Sequence, residues 1–333
     1  MDYRQEAPPI IKGFLIYHET VKGHSRKTVD EYYLDLRTFF RFTKCKRNCI
    51  PAGTEFSSIP ISDITLDFVA SVGISDIYDY LSFLARDRET SQHSRTPDFG
   101  LNANSRARKL ATIRSFYKYL TVKTKQLSEN PVVDIDSPKI MKSLPKYLSL
   151  EESMQLLNSV DGPNTERDYC VLCIFLNCGL RISELVGLNL SDIHADHLRV
   201  IGKGNKERVV YLNDATAEAI NRYLEIRKKT AAVDRNAFFL SIRRTRISKS
   251  TVHYLVKKHL GAAGLDSTKY SAHKLRHTAA TLMLHSGVDV RTLQELLGHE
   301  HLNTTEIYTH VENEGLRDAA KLTPLSDFKP EEK

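Results

Sequence analysis

Over residues 28–42 apolar side chains fall at Val29, Tyr32, Tyr33, Leu36, Phe39 and Phe40, a spacing of three and four that predicts a helix with one apolar face. Residues 75–84 repeat the pattern with Ile77, Tyr80, Leu81 and Leu84. A third such helix, over 105–122, turns Leu110, Ile113, Phe116, Tyr117 and Leu120 toward a core. The stretches 44–60 and 87–101 lack a period and read as loop-like inserts. Pro131, Pro138 and Pro145 stand among polar residues over 128–145, so regular structure should lapse there. A helical domain over 1–137, a linker over 138–148 and a second domain over 149–333 are expected. Ser149, with Glu152 three residues on, has the form of a capping box that opens the second domain's first helix. Helical patterns continue except between His197 and Leu212. There, Leu198-Arg-Val-Ile and Arg208-Val-Val-Tyr-Leu read as strands around Gly202-Lys-Gly-Asn-Lys, which predicts a hairpin with Lys203 at its tip. The expected fold is mainly α with a small β-hairpin, in two domains.

A length of 333 residues gives each domain a core of its own. The 48 Lys and Arg against 41 Asp and Glu leave a formal charge of +7, which favours a polyanionic partner. The charge gains meaning on the third helix, where Arg106, Arg108, Lys109, Arg114 and Lys118 form a positive surface opposite the apolar face, suited to a phosphate backbone. An ordinary solvated face is the plainer alternative for such a stripe. Residues 1–11 hold acidic residues and prolines where a signal peptide would need a basic stretch and an apolar run. The longest apolar stretch, 171–180, is too short to span a bilayer, so a soluble, cytoplasmic protein with no membrane partner is expected.

Five cysteines include a C-x-x-x-C at Cys45 and Cys49 and a C-x-x-C at Cys170 and Cys173, which invites a zinc reading. Cys170, Cys173 and Cys178, however, lie in an apolar run and are expected as small residues on a buried helix. The odd total of five argues against a disulfide framework.

Four segments of the second domain concentrate cations, imidazoles and one tyrosine: Gly179-Leu-Arg-Ile-Ser-Glu-Leu, Gly202-Lys-Gly-Asn-Lys-Glu-Arg, His273-Lys-Leu-Arg-His-Thr, and Leu297-Gly-His-Glu-His with Ile307-Tyr-Thr-His. Cleaving a phosphodiester without metal requires cations for the charge that builds on the nonbridging oxygens. Two guanidiniums, those of Arg181 and Arg276, have the forked donors for it. The leaving oxygen needs a proton, and Lys203, lowered in pKa by neighbouring positive charge, can give one. His273 and Arg276 are three apart and share a helix face. His299, after a glycine at a helix start or turn, can add a hydrogen bond. Tyr308 is the ionisable hydroxyl placed to be the nucleophile. Taken singly, each residue has a bland alternative as surface charge, cap or core; it is their joint occurrence, each in its own context, that points to a site.

These segments resemble the active-site boxes of the tyrosine recombinase (phage integrase) family, and within it the Xer-type recombinases. The resemblance covers the second domain nearly throughout. It extends more weakly to the first, through Arg108-Lys-Leu-Ala-Thr-Ile-Arg-Ser-Phe-Tyr-Lys-Tyr-Leu and Asn130-Pro. Ala272 stands where many members have proline. The resemblance implies a DNA clamp made of a helical core-binding domain and a mixed α/β catalytic domain. It implies catalytic roles for Arg181, Lys203, His273, Arg276, His299 and the nucleophile Tyr308, with Glu184 an accessory acidic residue. It further implies strand exchange through a 3′-phosphotyrosine at double-stranded recombination sites, as a tetramer on DNA, without metal or cofactor. Residues 313–325 would then pack on a neighbouring subunit or fold back in cis. Three alternatives stay open: relaxation of the type IB topoisomerase kind, a DNA-binding regulator without catalysis, and a zinc hydrolase using His273, His277, His299 and His301, although no helical His-Glu-x-x-His occurs.

Overall fold

A computed structural model describes residues 3–51, 53–89, 99–139, 146–202, 206–298 and 322. The chain divides into two compact units, Met1–Lys142 and Ser143–Lys333.

The first unit is helical. Its elements are α1 (Tyr3–Glu6), α2 (Pro9–Ile16), α3 (Arg26–Lys46), α4 (Leu66–Ala70), α5 (Ile74–Arg86) and α6 (Ala103–Lys118). Both α2 and α6 run on into a π-helical turn, Tyr17–Val21 and Tyr119–Lys123. Side chains take up free N–H groups where the long helices begin. Ser25 accepts from Thr28 N and Asn102 Oδ1 from Ser105 N, while Asp76 accepts from Gly73 N to close α5. The apolar faces read from the sequence meet in an aromatic core where Phe14, Tyr33, Phe39, Phe40, Tyr80, Phe116 and Tyr117 are fully buried. Phe14 and Phe40 both stand edge-on to Phe116.

The helices are longer than the sequence pattern set them, because caps and the polar last turn of α3 continue them beyond the apolar period. The expected loop over 44–60 is also less free than its composition suggests. It begins inside α3, and its far end is held by Arg41 Nε on Ile59 O at 2.8 Å and by Lys44 Nζ on Pro60 O at 2.9 Å. Residues 90–98 of the second insert lie outside the described residues.

The second unit contains α7 (Leu150–Asn158), α8 (Thr165–Cys178), α9 (Ile182–Gly187), strands β1 (His197–Ile201) and β2 (Glu207–Tyr211), α10 (Asp214–Lys229), α11 (Lys249–Ala262), α12 (Ala272–His285) and α13 (Val290–Leu297). The capping box forms as expected: Ser149 N donates to Glu152 and Glu152 N to Ser149 Oγ. Every residue of α8 from Asp168 to Cys178 is buried, as befits a helix apolar on all sides, and α7, α10 and α12 pack around it. Cys170, Cys173 and Cys178 are free thiols inside that helix, and burial pushes all three up in pKa, Cys173 to about 11. They are core residues. The two strands form an antiparallel hairpin in the register His197↔Tyr211 to Ile201↔Glu207. Among the described residues no helix is long and apolar enough to cross a membrane.

Candidate active site

Arg181 owes its position to the end of α8. The helix stops at Gly179, whose φ of 60° lies in the left-handed region, and a Cβ there would come 2.7 Å from Leu297 Cδ2. Leu180 is buried, and Arg181 is the residue from which α9 starts. Three residues on, Glu184 reaches back to accept from Arg181 N and from Arg181 Nη1, each at 2.8 Å. The second nitrogen of the guanidinium, Nη2, donates to Gly298 O at 2.8 Å.

Arg276 projects from the first half of α12, with its side chain 5% exposed. Its Nη1 donates to Gly179 O at 2.7 Å and its Nη2 to Leu297 O at 2.6 Å. Arg181 and Arg276 therefore sit on consecutive carbonyls, those of Gly298 and Leu297, and lie side by side. A guanidinium has five N–H donors, so each retains others for an anion. Burial, reinforced by the charge of Arg181, lowers the pKa of Arg276 to about 10, which leaves it protonated at neutral pH.

His273 lies one turn before Arg276, on the exposed side of α12, its ring centroid 4.6 Å from that of His277. Desolvation first, then the neighbouring positive charges of Arg276 and Lys274, lower its pKa below the usual histidine value. His277 is lowered by desolvation and by His273. Both rings are therefore neutral at pH 7, when each presents one donor and one acceptor.

Arg208 was missed in the sequence. It stands on β2 opposite Val200, and its side chain is 11% exposed. Its Nη1 and Nη2 form a fork onto Glu184 Oε1 and Oε2, both at 2.8 Å, and its Nε donates to Leu296 O at 3.1 Å. Glu184, 2% exposed, is thus, among the described residues, the one carboxylate shared by three guanidiniums, the third being Arg276 at 3.7 Å. Burial works to raise its pKa, but the bonds and charge of Arg208, together with those of Arg181, outweigh this and hold it below the usual value.

Lys203, His299 and Tyr308 lie outside the described residues, as do His301 and all of 313–325 except Leu322. The described neighbours fix where two of them join the chain. Lys203 follows Gly202, whose N–H donates to Lys206 O at 2.7 Å, and His299 follows Gly298. Gly298 ends α13 in the left-handed region, at φ 63°, so His299 follows a turn at a helix end and not a helix start. Among the described residues no group of three His, Cys, Asp or Glu side chains could hold a metal.

The basic face of α6 is less open than its sequence suggests. Asp35, buried on α3, takes a fork from Arg108 at 2.7 and 2.9 Å, a bond from Lys109 at 2.8 Å and one from Thr112. Arg114 donates to Ser137 Oγ and Ile135 O. Lys118 is exposed, and neither it nor Arg106 forms an ion pair with a described residue. A second basic surface escaped the sequence reading. Arg243 and Arg244 in the loop before α11, and Lys249, His253, Tyr254 and Lys257 along that helix, are all exposed on the second unit.

The profile of the phage integrase family matches residues 146–314. The chain is 53% identical to a tyrosine recombinase XerC of Caldanaerobacter subterraneus, over 96% of this chain and 88% of that one. It is 36% identical to the XerC of Halalkalibacterium halodurans, over 92% and 94%. Among solved structures it is similar to XerH recombinase bound to its difH substrate before cleavage, with a TM-score of 0.60 and 21% identity, covering 93% of this chain and 84% of that one. It is also similar to a lambda integrase dimer bound to a core site, with a TM-score of 0.57 and 18% identity, covering 90% and 98%. These two likenesses speak for the fold.

Proposed function

The chain belongs to the phage integrase family, as a tyrosine recombinase of the Xer type, an enzyme of site-specific DNA recombination that cleaves and rejoins DNA; from that premise we propose how its own residues divide the work. Tyr308 attacks the scissile phosphate and forms a 3′-phosphotyrosine, while the bond to the 5′ oxygen breaks. Lys203 gives that oxygen its proton. Arg181 and Arg276 take the charge that builds on the nonbridging oxygens, and His273 and His299 add hydrogen bonds. The freed 5′ hydroxyl of a partner strand then attacks the phosphotyrosine and releases Tyr308, so the bond energy is conserved and no nucleotide is consumed.

The observation that carries this reading is the pair of guanidiniums anchored on consecutive carbonyls, with donors left over and one carboxylate between them. Two fixed guanidiniums match the oxygens of one phosphate. Relaxation of the topoisomerase kind and binding without catalysis are not favoured for a chain so similar to XerC along nearly its whole length. DNA would be held by Arg106 and Lys118 of α6, by Arg108, Lys109 and Arg114 where their present partners yield, and by the exposed basic surface of α11. We propose further that two protomers occupy each double-stranded site and two sites pair as a tetramer. Residues 313–325 would bridge subunits, with the enzyme working in the cytoplasm on the nucleoid.

The test uses a nicked suicide duplex of the sequence that the chain selects from a random pool. The wild type should become covalently joined to it. Tyr308→Phe should bind equally and form no adduct, since only the nucleophilic oxygen is gone. Adduct in the variant would move the nucleophile elsewhere, with Tyr270 the next tyrosine to examine.

A further inference from the structure

We infer that Arg208 is a positioning residue of the reaction: it fixes the Glu184 carboxylate, which braces Arg181, at a distance from Arg276, and it ties the hairpin strand to the peptide that precedes His299. The inference rests on the roles proposed for Arg181 and Arg276.

Three observations lead to it. The first is the fork itself. Both oxygens of Glu184 are taken by Arg208 at 2.8 Å and shared with Arg181 at the same distance, while Arg276 stands off from the same carboxylate at 3.7 Å. A bidentate pair fixes both the distance and the plane of the carboxylate. Without Arg208 the freed oxygens would draw Arg276 in from 3.7 Å, and the donors it holds for a phosphate would turn to Glu184.

The second is the span of the side chain. Arg208 lies on β2, which leads back through the hairpin to Lys203, and its Nε donates to Leu296 O at 3.1 Å. Leu297 O and Gly298 O, the next two carbonyls, hold Arg276 and Arg181. Three successive carbonyls thus receive three arginines from three different elements.

The third is the glycine beneath it. A Cβ on Gly298 would meet Arg208 Cδ, Nε and Cζ at 3.3 Å, so the guanidinium lies flat against the last residue before His299.

The experiment compares the full-length wild type, Arg208→Lys, Arg208→Met and the double variant Arg208→Met with Glu184→Gln on the selected nicked duplex. It records DNA affinity, melting temperature and single-turnover adduct formation. Arg208→Lys keeps the charge and loses the fork. Its cleavage should fall about 10²-fold, the scale set by an active-site displacement of about 1 Å, with affinity retained. Arg208→Met should fall at least as far, and adding Glu184→Gln should restore part of the rate, because the competing carboxylate is then neutral. The inference is overturned if Arg208→Lys cleaves like the wild type, if the double variant is no faster than Arg208→Met, or if cleavage, affinity and melting temperature decline in step, which marks a structural brace. A wild type that forms no adduct would overturn the underlying site reading as well.

Discussion

Replacing Glu184 by Gln keeps the volume of the side chain and removes one charge from the centre of three guanidiniums. In the wild type the carboxylate, 2% exposed, accepts four bonds of 2.8 Å, two from Arg181 and two from Arg208. The amide retains one acceptor oxygen and turns two N–H donors toward groups that are themselves donors. Removing one partner of a buried charge pair costs about 3–5 kcal/mol. Arg181 is one-third exposed and can recover water, and the remaining oxygen keeps a bond, so the loss should lie near the lower end, about 3 kcal/mol. For a unit of this size that corresponds to a melting temperature roughly 6–12 °C lower at pH 7.

The pH dependence supplies the refutation. Because the folded pKa of Glu184 is depressed, its contribution is fully present above the unfolded carboxylate value of about 4.3 and is lost as pH falls through the lower folded value. A protonated Glu is a neutral near-isostere of Gln. The difference in melting temperature between wild type and variant should therefore hold from neutral pH to about 5 and narrow below 4. Calorimetry on both proteins across this range decides it, since all other titrating groups are common to the two. Equal stability at pH 7, or a gap that persists undiminished in acid, would show that the charge of Glu184 does not hold the arginines.

Lys203→Ala should slow cleavage by roughly 10²–10⁴-fold with little loss of affinity, and a substrate with sulfur at the bridging 5′ position should restore most of the rate, whereas Arg276→Ala should not recover on it. Recovery of both variants, or of neither, would make Lys203 a phosphate contact. Gly298→Ala forces a side chain into φ 63° against Arg208, at a cost of about 1–2 kcal/mol for the backbone alone; thermal denaturation identical to wild type would remove the need for glycine there. Asp35→Asn should destabilise the protein by about 3 kcal/mol while releasing Arg108 and Lys109. The salt slope of DNA binding should then steepen by about 0.9 for each phosphate that the released cations neutralise, and an unchanged slope would place both residues away from DNA.

What the sequence revealed was local. The helix faces around Phe39, Tyr80 and Phe116, the box at Ser149 and Glu152, and the hairpin all depend on residues within a few positions of one another, and each formed. Pairings across the chain were hidden. Asp35 lies more than 70 residues from Arg108 and Lys109, and nothing in a basic stripe tells which members face a buried carboxylate. Arg208 did leave a signal. Val210 faces inward, and strand alternation puts the residue two before it on the same side, so a cation there had to have a buried partner.

The choice of that partner explains why one carboxylate serves the site better than three. Among the described residues Arg181, Arg208 and Arg276 with Glu184 leave two positive charges in a largely desolvated place, and burial first, then the charge of Arg181, lowers the pKa of Arg276. Full neutralisation would make the unliganded protein more comfortable and leave nothing to attract a phosphate. With neutral carbonyls at Gly179 and at the end of α13 as the other acceptors, the guanidiniums are held by groups that fix direction without cancelling charge. The charge excess is thus kept for the anion, and it should be most needed when a nonbridging oxygen gains charge during cleavage.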